Sequence, residues 1–116
     1  MNMADRKLIT DLIAVTDEKK LVTATPATLS SAKYTGTGAY AGKYAQQAVI
    51  SCSGVNSILR LVGSNPTTTN GMILSAGDSL TLSPFGNIAN LRIRSTTAAT
   101  STIFVTYLFE ANRFQS

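Results

Sequence analysis

The chain has 116 residues and a net charge of +4, from ten Lys and Arg against six Asp and Glu. An apolar content of 44% excludes a disordered, charge-rich tail, and a chain of this length can bury one core of its own. There is no histidine, no tryptophan and one cysteine, which excludes a His-based triad or general base, a Cys/His zinc site and an intrachain disulfide.

Residues 1–20 carry four acidic and four basic side chains, half of all the charges in the chain. The other 96 residues carry six basic and two acidic ones, so the whole excess of +4 belongs to the body. This shift in composition divides the chain into an N-terminal arm over 1–19 and a Thr-rich body over 20–116. In the arm, Leu8, Ile9, Leu12 and Ile13 fall at i, i+1, i+4 and i+5, the spacing of one face of a helical turn that Asp5 could cap. So short a helix is marginal alone, and two readings of its apolar face stand: packing on its own domain, or docking on a neighbouring subunit. Met1 to Lys7 has no apolar run with a cleavage site, so no signal peptide is read, and no segment approaches the roughly 20 apolar residues of a spanning helix.

From residue 20 the period becomes that of strands. Lys20–Thr25 is ended by Pro26, and Gln47–Cys52 by Ser53-Gly54. Ser57–Val62 follows closely enough for a hairpin. Met72–Leu74 precedes a turn at Ser75-Ala76-Gly77-Asp78, and Ser79–Leu82 and Leu91–Arg94 alternate cleanly around a break at Pro84-Phe85-Gly86-Asn87. The last strand, Thr102–Phe109, is the most apolar. Short strands at spacings near ten residues predict an all-β antiparallel sandwich, jelly-roll-like or Ig-like, behind the short arm. Cys52 reads as a buried, inert thiol.

Three segments invite a chemical reading. Gly36-Thr37-Gly38-Ala39-Tyr40-Ala41-Gly42-Lys43-Tyr44 is not a phosphate loop: Thr37 stands where the first glycine is needed, and Tyr44 where a Ser or Thr must hold magnesium. The same stretch interleaves Lys33 and Lys43 with Tyr34, Tyr40 and Tyr44, a pattern that single-strand binders use. Its Gly and Ala content equally describes a contact loop between proteins, where Tyr is favoured, or a plain surface loop. Contact is preferred and nucleic acid disfavoured, because a net charge of +4 spread over a sandwich is a weak electrostatic footprint. Arg92 and Arg94 share one strand face opposite Leu91 and Ile93, either as a solvated outer face or as a grip on a partner's carboxylates. Outside the arm the acids are Asp78 and Glu110, with neither paired-carboxylate spacing nor a calcium-loop signature. No catalytic residue, metal or cofactor is expected.

The run Arg60-Leu61-Val62-Gly63-Ser64-Asn65-Pro66-Thr67-Thr68-Thr69-Asn70-Gly71-Met72-Ile73-Leu74-Ser75-Ala76-Gly77-Asp78-Ser79-Leu80-Thr81-Leu82 resembles small β-sandwich virion proteins of tailed bacteriophages. The Leu91-Arg92-Ile93-Arg94 strand and the small-residue turn Ser95–Thr100 look like the end of the same module, so the resemblance covers about 47–109. It implies a non-enzymatic structural role in the virion of the capsid decoration or cement type, made in the host cytoplasm, with the major capsid protein as partner. A head–tail joint or a tail-tip, host-binding module is the alternative. The apolar arm face adds the expectation of a homo-oligomer, a trimer favoured, with no membrane partner. Leu8, Ile9, Leu12, Ile13, Tyr34, Tyr40, Tyr44, Arg92 and Arg94 are the expected contact residues. Deleting residues 1–18 is expected to leave the sandwich folded and to weaken attachment.

Overall fold

A computed structural model describes the backbone of residues 7–115 and the side chains of 11–111. Among the described residues seven strands form two antiparallel sheets. The first sheet contains β1 (Lys7–Val22), β7 (Ser101–Gln115), β2 (Gln47–Ser53) and β5 (Ser79–Leu82), side by side in that order. The second contains β4 (Met72–Leu74), β3 (Ser57–Arg60) and β6 (Arg92–Ser95). Residues 23–27 run along the free edge of β6, where Ser95 N–H donates to the Thr23 carbonyl at 2.8 Å. Ala27 and Ile93 exchange two bonds at 2.8 and 2.9 Å there, so the segment acts as an eighth strand.

The pairing has one simple rule. In chain order the first strand pairs with the last, the second with the seventh, the third with the sixth and the fourth with the fifth. One long antiparallel hairpin has been rolled over on itself, and this is the jelly roll. The all-β sandwich expected from the strand spacing is observed, and the order of its strands selects jelly roll over Ig-like.

Alternation explains why these segments are strands and which face each buries. Along β7, Ser101, Ile103, Val105, Tyr107 and Phe109 point inward, all buried, while Phe104 and Glu110 are exposed. Ala48, Ile50 and Cys52 of β2, Leu59 of β3, Leu74 of β4, Leu82 of β5 and Ile93 of β6 complete one core with them. The break at residues 84–87 folds into α2 (Phe85–Asn90), which turns Ile88 into the core, with Leu91 just beyond it.

Two expectations are corrected here. The arm is not helical at Leu8, Ile9, Leu12 and Ile13; these residues belong to β1, paired with β7 from Lys7 opposite Gln115 to Val22 opposite Ser101. An i, i+1, i+4, i+5 pattern fits a strand as well as a helix, and β-branched Ile9, Thr10, Ile13, Val15 and Thr16 favour the strand once β7 offers a partner edge. The four residues therefore do not share a face: Leu12 stands opposite Glu110, and Ile13 opposite buried Phe109. Nor do β2 and β3 form a hairpin, since they lie in different sheets. The chain arches between the sheets through Gly54, at φ 92°. The hydroxyls of Ser57 and Ser101 and the Cys52 thiol meet under the arch: Ser57 Oγ donates to Ser101 Oγ at 2.9 Å, and Cys52 Sγ lies 3.1 Å from Ser101 Oγ. Cys52 is buried, as expected.

β1 is fastened to the core by Glu18, whose carboxylate accepts hydrogen bonds from the Tyr107 hydroxyl and, at 3.1 Å, from the Ser30 N–H. Burial first, then the hydrogen bond and negative charge of Glu18, then Tyr34, push ionisation of Tyr107 far above the ordinary range. An unfolded tyrosine loses its proton near pH 10 while the folded one keeps it, so the folded state binds more protons there. Stability is therefore expected to be level with respect to Tyr107 below about pH 10 and to fall above it. Urea unfolding from pH 8 to 11 tests this, and Tyr107→Phe should flatten the alkaline decline. Glu18→Ala should cost about 1–3 kcal/mol at neutral pH by stranding a buried hydroxyl. Removal of residues 1–18 takes Glu18 with it, so the truncated chain should melt at a lower temperature than the full chain.

Candidate functional site

The outer face of the second sheet is built from the residues that alternate away from the core. On β6 these are Arg92 and Arg94, since Ile93 and Ser95 point inward. Register places Arg60 of β3 directly opposite Arg92, and Ile58 opposite Arg94 on one side and Ile73 of β4 on the other. Three of the chain's ten cations thus lie on one small sheet face. Like charges directly opposite one another destabilise a sheet, and a carboxylate among them would relieve it. Among the described residues no carboxylate forms an ion pair with any of the three. The one polar contact shown for them is local: Arg94 Nε donates to the Ser95 carbonyl at 3.0 Å. All three are half-buried, their stems lying on the sheet in the manner of long cationic side chains.

Ile58 gives the patch a stiff floor. It points outward yet is buried, and Gly71 closes over it at φ 145°. A Cβ at Gly71 would meet Ile58 Cγ1 at 2.7 Å and the Leu59 carbonyl oxygen at 2.9 Å. Ile73 beside it is 60% exposed, so the arginine face is bordered by an open apolar residue.

The tyrosine-rich segment has a different placement from the arginines. Its residues cap one end of the sandwich. α1 (Ser31–Tyr34) sets Tyr34 edge-on to Phe85 at 5.6 Å and to Tyr107 at 6.4 Å. Tyr40 packs on Phe109 at 5.6 Å, with Lys43 Nζ 5.9 Å above its ring. Gly36 permits the loop to close, because a Cβ there would lie 1.9 Å from the Tyr40 carbonyl oxygen. Tyr34 and Tyr40 are therefore partly buried against the core, while Tyr44, tilted against Phe85 at 4.6 Å, remains 49% exposed. Leu12 and Ile13 are exposed on β1, and the side chains of Leu8 and Ile9 lie outside the described ones.

The structure thus joins Arg92 and Arg94 to Arg60, which the sequence reading passed over as one residue of a strand. Its signal was parity: with Leu59 inward, Arg60 had to face out. The expected tyrosines and the β1 residues lie elsewhere. Asp78 is exposed in its turn, and among the described residues no group of three His, Cys, Asp or Glu could hold a metal ion. Among them, too, no helix is long and apolar enough to cross a membrane. Compared with family models, curated proteins and solved structures, the chain matches none.

The opposed arginines carry a stability consequence. Arg92→Thr removes the repulsion across the pair and introduces a β-branched side chain suited to a strand, so it should leave stability unchanged or raise it by up to about 1 kcal/mol. Thermal melts at low salt test this, and the difference should shrink as salt screens the charges.

Proposed function

We propose that the protein is a non-enzymatic structural component of a bacteriophage virion that decorates the capsid and cements it by bridging capsid subunits. The observation that carries this reading is the unneutralised face of Arg60, Arg92 and Arg94 on a stiff sheet. Guanidinium groups without a carboxylate of their own suit carboxylates supplied by a protein surface, which they can grip in bidentate fashion. The acidic partner is the major capsid protein, and the place of action the outside of the capsid. Jelly-roll sandwiches are also an architecture of virus coats, a support at the level of fold. A nucleic-acid role is less well supported, because Tyr34 and Tyr40 spend their rings on core packing and offer little for base stacking.

Cement stabilises an assembled shell by mass action, since it binds only where neighbouring subunits are already side by side. Mixing the protein with undecorated capsids and counting bound copies tests the proposal. Occupancy should fall with rising salt, and the double variant R60E/R92E should lose most of its binding at unchanged fold. Binding that ignores the arginines would overturn the role given to this face. Binding to host cells with none to capsids would overturn the cement reading.

A further inference from the structure

Arg60 and Arg92 stand directly opposite each other across β3 and β6, which puts their Cβ atoms about 5 Å apart on one face of the sheet. Among the described residues neither guanidinium donates a hydrogen bond or joins an ion pair. Both side chains are half-buried, yet among the described residues no buried side-chain nitrogen lacks a partner, so the nitrogens of these two heads are open to solvent. The third arginine differs, because Arg94 Nε is already engaged by the Ser95 carbonyl at 3.0 Å. Ile58, two residues before Arg60 on the same face and 3% exposed, adds an apolar wall that offers no competing acceptor.

We propose that Arg60 and Arg92 form a receptor for one free, doubly charged tetrahedral oxyanion of the phosphate and sulfate class. Two facing cations repel, and a dianion seated between them replaces that repulsion with two attractions and leaves no residual charge on the pair. Each guanidinium presents its N–H groups as a planar fork that binds two oxygens side by side. A tetrahedral ion has four oxygens, enough for both forks. A lone carboxylate has two oxygens and one charge, and leaves one arginine unmatched. Arg94, tied to its own strand by the Ser95 carbonyl, adds positive field to the site more than contacts. The pair lies on the face proposed to meet a capsid, but the inference does not depend on that role.

The test is an NMR titration of the full chain, nitrogen-15 labelled, with inorganic phosphate to about 30 mM near pH 8, where the ion is doubly charged. Sodium chloride holds the ionic strength at about 0.1 M throughout, so general screening stays constant. Saturable shifts centred on the amides of residues 58–60 and 92–94 are expected, with a dissociation constant on the order of 1–10 mM. Sulfate should bind alike, and acetate roughly tenfold more weakly or less. R60T and R92T should each weaken phosphate binding roughly tenfold or more, while R94T should cost less than about threefold. The amides of β7, in the other sheet, report that each variant keeps its fold. Shifts that stay linear throughout, acetate bound as well as phosphate, or R94T losing as much as R92T would overturn the inference. The assay contains no capsid, so its failure leaves the cement reading standing.

Discussion

Tyr107 stands at the crossing of everything that holds this sandwich together. It lies mid-way along β7, with β1 on one side and β2 on the other, and its ring is buried in the core. A buried phenol must give its hydrogen somewhere, and here the acceptor is Glu18 of β1. The same carboxylate takes the Ser30 N–H, which positions the start of the aromatic cap, and the Tyr34 ring returns to pack against Tyr107. One polar contact therefore sets the first strand against the last and anchors the loop over the end of the sandwich. An apolar residue at 107 could fill the volume but could not fix β1 at this point along β7.

That constraint also divides the charges. Glu18 turns inward because Tyr107 needs it, so its neighbours Asp17 and Lys19 must turn outward by alternation. The body beyond β1 then has only Asp78 and Glu110 as acids, and neither lies on the strands of the second sheet. Arg60 and Arg92 oppose each other, and among the described residues no carboxylate pairs with them. The fold tolerates this because half-buried arginines on an outer sheet face keep part of their hydration and salt screens them.

Most strands were legible in the sequence because each is short, alternates, and ends at Gly, Pro or Ser. Ala48, Ile50 and Cys52 announce their inward face, as do Ile103, Val105, Tyr107 and Phe109. What periodicity cannot carry is which strand lies beside which. β2 and β3 are separated by three residues, and a hairpin was the natural reading until the arch at Gly54 sent them to different sheets. Without that order Arg60 has no visible partner, since its meeting with Arg92 depends on β3 and β6 being neighbours across 31 residues of intervening chain. The arm failed for another reason. Leu8, Ile9, Leu12 and Ile13 satisfy either period locally, and β7, about 90 residues away, decides between them.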